Sequence, residues 1–248
     1  MTISNQTLER TSHFLGKGSN FVTNVADLQG YDDFALPSSP TYKSFTHFET
    51  AQIVEDYLTR RGWNITAEKF MVSRSCHQMY GYFDLGGIKG DHRMMVILRN
   101  SVDKTLSFRV CVGMVNTICE NGLISLSLFE SKGRKHQKNV DISQVTIDSL
   151  ANMGQRFDTL NDKMIKLQDT PLSDYGARKQ LMDLASKRCF PAESIMSIWD
   201  EYQNPTYEQF KTFTQHSMLM AITEQLKQIR TINTLMDYYK QLAICYDL

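Results

Sequence analysis

Apolar and polar positions change period twice along the chain. In HFETAQIVEDYLTRRGW (residues 47–63), Ile53, Val54, Tyr57 and Leu58 recur at helical spacing. Gly62 stands where a C-terminal glycine cap belongs, and Arg60 and Arg61 suit the negative end of the helix dipole. The next stretches, ITAEKFMVSR, HQMYGYFDL, HRMMVILRN, LSFRVCVGMVNTIC and LISLSLFES, are rich in β-branched and aromatic residues and partly alternate. Turn residues separate them: Gly86-Gly87, Gly90-Asp91, residues 100–104 and Asn121-Gly122. This pattern predicts an antiparallel meander of about five strands, with GGIKGD (86–91) as a hairpin turn and its flanking Asp84 and Asp91 solvated.

Beyond Asp141 the period is helical again. Ile147, Leu150, Met153, Phe157, Leu160, Met164 and Leu167 step by three or four, which predicts one helix about six turns long. Further helices are predicted near 174–187, 192–202, 207–229 and 232–245. Pro191 suits the start of the second of these, and Thr206 with Gln209 a capping box at the third. Residues 1–45 are polar and Pro-punctuated and predict an irregular arm. The fold class is therefore α+β: an arm over 1–45, a helix plus antiparallel sheet over 46–140, and a helical region over 141–248 packed on that sheet as one compact domain.

Composition adds limits. At 42% hydrophobic and 22% charged over 248 residues, the chain can bury a core. No run approaches the roughly 18 apolar residues of a membrane helix, and MTISNQTLER lacks a secretory pattern. Five cysteines (76, 111, 119, 189 and 245) with no CxxC spacing suit free thiols in a reducing cytoplasm, with Cys111 and Cys119 in the core. The net charge is zero but uneven: 16 basic against 13 acidic residues over 1–140, and 11 against 14 over 141–248. ESKGRKHQKN (130–139) concentrates Lys132, Arg134, Lys135, His136 and Lys138.

Catalytic and metal motifs are missing from the sequence. The six histidines show neither HxxxH nor HxxE spacing, no Cys/His cluster resembles a zinc site, and no GxSxG, GxGxxG or P-loop occurs. The reading is of a non-enzyme with no metal and no cofactor, with a nucleic-acid enzyme as the remote alternative. What stands out is a surface pattern. Arg74, Arg93, Arg99, Lys104 and Arg109 lie along the strands and their turns, and Tyr80, Tyr82 and Asp84 share one strand face, opposite Met79, Gly81 and Phe83. Two readings compete: a solvated face with Tyr and Arg as cross-strand pairs, or an open platform for single-stranded nucleic acid. In the second, cations follow the phosphates and Tyr80, Tyr82 and Trp63 stack on bases. Lys132, Arg134, Lys135, His136 and Lys138 would close one edge as an electrostatic clamp.

RMMVILRNSVDKTLSFRVCVGMVNTICENGLI followed by RKHQKN resembles a large family encoded by phages and plasmids, most of whose members are catalogued as a domain of unknown function. Asn100, Ser101, Asp103 and Lys104 match its first signature, with Val102 in place of a histidine. Cys119 and Asn121 match the second, and Lys135 and His136 the third. Residues from Thr46 to MYGYFDL, and SMLMAITEQLKQIRTINTLMDYY, resemble its outer parts. The resemblance implies a mobile-element origin and a cytoplasmic place in an infected bacterial host. It also implies structural or groove roles for Asn100, Asp103, Lys104, Asn121, Lys135 and His136. Some phage proteins of this kind look like single-stranded DNA-binding proteins. The expected function is therefore sequence-independent binding of single-stranded DNA (or RNA), serving replication, recombination or early phage transcription, with self-association. The alternative is a factor that docks on a phage or host polymerase, replication or defence protein through the acidic helical half.

Overall fold

The computed structural model describes residues 20–119, 122–124 and 141–248. Six strands pair antiparallel in chain order: β1 Asn20–Val22, β2 Ala67–Val72, β3 Gln78–Lys89, β4 His92–Ser101, β5 Arg109–Asn116 and β6 Gly122–Ile124. The helices are α1 His47–Arg60, α2 Ile142–Leu150, α3 Met153–Gln168, α4 Asp174–Ser186, α5 Ile195–Gln203, α6 Gln215–Leu226 and α7 Ile232–Tyr246, with 3-10 segments at Val25–Phe34, Ala192–Ser194 and Glu208–Phe210. The architecture is α+β, a meander followed by a helical half. None of the described helices is long and apolar enough to cross a membrane.

Local chemistry explains most boundaries. Thr46 caps α1: its side chain accepts from Glu49 N, and the Glu49 carboxylate accepts from Thr46 N. Past α1, Gly62 takes φ +76°, the left-handed conformation that glycine adopts without strain. At the β3–β4 hairpin, Lys89 pairs with His92, so Gly90-Asp91 alone forms the turn. The upstream glycines serve a bulge instead: the register shifts between Asp84 and Ile88, and Gly86 has φ +64°.

Three segments differ from the sequence reading. The arm is organised from Asn20 onward: β1 pairs with β2, Val22, Val25 and Leu28 are buried, and Glu68 Oε1 accepts from Val25 N at 2.8 Å. The long apolar stripe is cut into α2 and α3 by Asn152, whose φ of +57° turns the chain; Leu150, Met153, Phe157, Leu160, Met164 and Leu167 stay buried, while Ile147 is exposed. The predicted helix over 207–229 begins later. Phe213 has φ +52°, and Thr214 rather than Thr206 caps α6, with Ser217 as reciprocal partner. Thr206 instead donates to Glu201 through both its backbone N and its hydroxyl.

Both sheet faces are covered. One carries Phe70, Val72, Met79, Phe83, Met94, Val96, Leu98, Val110, Val112 and Met114, all buried. Asn100 and His92, whose parity puts them on this face, reach α1 and α6 respectively. Phe70 and Phe83 pack edge to face at 5.5 Å, and Phe70 lies over Gly81, its cross-strand neighbour. The opposite face carries Tyr80, Tyr82, Asp84, Met95, Ile97, Arg99, Arg109 and Cys111, and α7 lies against part of it.

Candidate nucleic-acid interface

The register sets the predicted cations on one face. Tyr80 pairs with Arg99, and Arg99 with Arg109, so one row crosses β3, β4 and β5. Lys69 pairs with Tyr82 in the neighbouring row, and Arg93 lies on the same side of β4. The parity reading puts Tyr80, Tyr82 and Asp84 on one face; the register agrees and adds Arg93, Arg99 and Arg109 to it.

That face is not an open platform. Tyr80 and Tyr82 are 3% and 2% exposed, so neither ring is available to a base. The physical reason is area: a tyrosine ring is worth more filling the layer beside a helix than facing water. Asp84 is not solvated either. Its Oδ2 takes the Arg93 Nε hydrogen at 2.9 Å and its Oδ1 accepts from Gly86 N, so Arg93 is committed to a buried carboxylate. Trp63 is half-buried on the core, directly after the turn where its backbone N donates to Leu58 O. Lys104 sits in the β4–β5 turn at φ +69° with Nζ over the Tyr42 ring, 4.3 Å from its centroid. Arg74 is exposed in the β2–β3 turn. Lys132, Arg134, Lys135, His136, Lys138 and Asn121 lie outside the described residues.

One opening remains on the cationic face. Tyr80, Arg99, Leu106, Asn233, Met236, Asp237 and Lys240 line a cleft of about 290 Å³ between the sheet and α7. Arg99 has a hydrogen bond to Tyr80, while its Nε is buried with no partner. Burial lowers the Arg99 pKa and, against the neighbouring guanidinium, raises that of Tyr80. Arg99 and Arg109 lie directly opposite each other on adjacent strands, so the row gathers two guanidinium groups. Lys69 is a further unusual cation. It is buried, its Nζ stacks on Phe21 at 4.7 Å, and burial lowers its pKa to about 8. Asn233, Asp237 and Lys240 were invisible to a strand-by-strand reading, because they reach the row from the last helix.

The motif residues shared with the family resemblance have a different part. Asn100 is fully buried, and its Nδ2 lies 3.2 Å from Phe45 O and from His47 Nδ1 and 3.3 Å from Thr46 O, tying β4 to the start of α1. His47 Nε2 lies 3.1 Å from Cys76 O. Asp103 accepts from the Ser101 and Thr105 hydroxyls and from Thr105 N. Burial alone would raise its pKa, but these hydrogen bonds outweigh it and hold the carboxyl below its ordinary value. Cys119 is buried and not in a disulfide, its thiol lies 3.6 Å from Asn116 Oδ1, and its carbonyl takes a hydrogen bond from Lys227 Nζ. Asn100, Ser101, Asp103 and Cys119 therefore serve as internal braces. Among the described residues no three His, Cys, Asp or Glu side chains gather closely enough to hold a metal.

A sheet with structural motif residues at its turns and helices on both faces defines a shared scaffold. The chain matches the family model described as a domain of unknown function (DUF932) over residues 36–240, and it belongs to that family. No curated protein and no solved structure gave a match.

Proposed function

We propose that this protein binds single-stranded nucleic acid through its phosphates, without catalysis and largely without regard to sequence. The observation that carries the reading is the Tyr80–Arg99–Arg109 row with Lys240 at its open margin. A single strand can bend a phosphate into so narrow an opening, whereas a stiff duplex presents its phosphates on a broad cylinder. The buried tyrosines leave electrostatics as the main source of affinity. The basic run from Lys132 to Lys138 adds charge to the same chain. The family resemblance supports a setting in phage or mobile-element replication, recombination or transcription.

The test is anisotropy of a labelled single-stranded oligonucleotide at two salt concentrations with a duplex competitor. Wild type runs beside Lys240→Glu, Arg99→Gln and the quadruple alanine variant at 132, 134, 135 and 138. Single strands should outcompete duplex, affinity should fall with salt, and the variants should bind more weakly with a shallower salt slope. No binding at low salt sinks the proposal.

A second reading has its own observation. Tyr175 and Met182 of α4 and Met196 of α5 are 77%, 57% and 66% exposed, and Arg178 stacks on Trp199 at 4.5 Å beside them. Such a surface supports a protein partner. Capture that survives nuclease treatment and is lost in Tyr175→Ala/Met182→Ser would favour it.

A further inference from the structure

Two thiols far apart in sequence meet near the end of the chain. Cys189 follows α4, and Cys245 lies in the last turn of α7. Their Sγ atoms are 3.5 Å apart, within S–H···S hydrogen-bond distance, and are not joined in a disulfide. Cys189 is fully buried, whereas Cys245 is only partly buried. Cys245 also forms part of the wall of a second cleft, about 340 Å³ in volume, together with Gly176, Lys179, Gln180, Asp183 and Lys187. A small oxidant entering there meets Cys245 first and Cys189 behind it. Lys187 and Lys179 border the entry, Lys179 being paired with Asp183 at 2.8 Å. Tyr246 is packed beside both sulfurs, and its hydroxyl takes a hydrogen bond from Gln180 Nε2.

We propose that Cys245 and Cys189 form a hydroperoxide-responsive oxidation site, Cys245 as the attacking thiol and Cys189 as the resolving one. In the first step the Cys245 sulfur attacks the near oxygen of a hydroperoxide. An S–O bond forms, the O–O bond breaks, and the leaving oxygen departs as the alcohol, or as water for hydrogen peroxide, with the thiol proton. Cys245 is now a sulfenic acid. In the second step Cys189 Sγ attacks Cys245 Sγ, the S–S bond forms, the S–O bond breaks, and water leaves carrying the Cys189 proton. Two thiols are oxidised to one disulfide and one hydroperoxide is reduced. The division of labour follows from position, since only Cys245 reaches the cleft. Burial, with the hydrogen bond to Cys245, also pushes the Cys189 pKa up, which disfavours its thiolate in the reduced pair.

The crosslink would fasten the last turn of α7 to the segment after α4. α7 also supplies Asn233, Asp237 and Lys240 to the cleft on the sheet. The product joins residues 56 positions apart, and closing so long a loop restricts the unfolded chain.

The experiment treats the full-length reduced protein with stoichiometric hydrogen peroxide and reads intact mass and peptide maps without reductant. The expected product has lost two hydrogens, contains a Cys189–Cys245 linked peptide pair, and melts about 5–10 °C higher than the reduced form. Cys189→Ser should stop at a sulfenic acid on Cys245, trapped as a single dimedone adduct. Cys245→Ser should leave Cys189 unmodified. A linkage through Cys76, Cys111 or Cys119, oxygen addition to wild type without loss of the two hydrogens, or dimedone labelling of Cys189 in Cys245→Ser would each overturn the proposal. Serine keeps the size of each side chain, and a melting curve of each reduced variant confirms that the comparison is between folded proteins.

Discussion

His92 and His216 meet edge to face in the interior, their ring centroids 6.1 Å apart and their planes at 86°. Both Nε2 atoms are buried without a partner. Burial lowers both pKa values, and for His216, with His92 as a second cause, the value falls to about 4. The folded protein therefore holds this pair neutral. An unfolded histidine takes its proton near pH 6.5, so the unfolded state binds more protons in the window between that value and about 4. The contribution to stability is present in full above pH 6.5 and is lost as pH falls toward 4. At pH 4.5 the loss from His216 alone should be ~2–3 kcal/mol relative to pH 7.5. Urea midpoints for wild type and His216→Phe across this range provide the check, and an equally steep fall in the variant would refute the assignment.

Asn100 should behave as a brace and not as a binding residue. Removing its amide takes one hydrogen-bond donor away from the Phe45 and Thr46 carbonyls and from the His47 ring nitrogen. Asn100→Ala should cost ~1–3 kcal/mol. Its oligonucleotide affinity, measured at a temperature where the variant is folded, should equal that of wild type. A selective loss of affinity at unchanged stability would reverse this reading.

Arg93 and Asp84 form an ion pair in which the carboxylate side chain is 5% exposed. Arg93→Ala leaves that carboxylate buried with one partner fewer and should cost about 3 kcal/mol or more. Arg93→Ala/Asp84→Leu should recover part of the loss, because the orphaned charge goes too. Chemical denaturation of the two single variants and the double variant gives the coupling energy directly.

At Gly81, an added Cβ would sit 2.2 Å from Phe70 Cδ1. Gly81→Ala should therefore destabilise by ~1–3 kcal/mol through overpacking. Combining it with Phe70→Leu should be less harmful than the sum of the two single changes. Additive melting-temperature losses would show that the ring has room to move.

Much of this fold was legible because its signals are local. α1 announces itself through Ile53, Val54, Tyr57, Leu58 and the terminal Gly62, and strand parity places Tyr80, Tyr82 and Asp84 together on one face. What parity cannot reveal is whether a face is covered. The residues of α7 that close over the row lie beyond position 230, and arginines on a strand read as solvated until a helix is placed over them. The break at Asn152 escaped because the spacing from Leu150 to Met153 is still helical, so the apolar stripe runs on while the backbone turns. β1 is three residues long and finds its partner far along the chain, leaving no periodic trace. The His92–His216 and Cys189–Cys245 pairs are products of tertiary packing, and no sequence spacing encodes them.

Chain-order pairing also sets how this sheet can assemble. Short connections join β2 to β3, β3 to β4, and β4 to β5, so each of these strands is delivered beside its partner at small entropic cost. Growth by zipping from the Gly90-Asp91 turn follows naturally. The β1–β2 connection breaks that pattern, since it must carry the Val25–Phe34 segment and all of α1 before the edge can pair. By loop length, the strand that covers the Phe70–Val72 edge of β2 is expected to join after the β2–β5 hairpins. Until it arrives, Phe70, Met71 and Val72 lie on an open edge, and the nascent chain's exposure to aggregation is concentrated there.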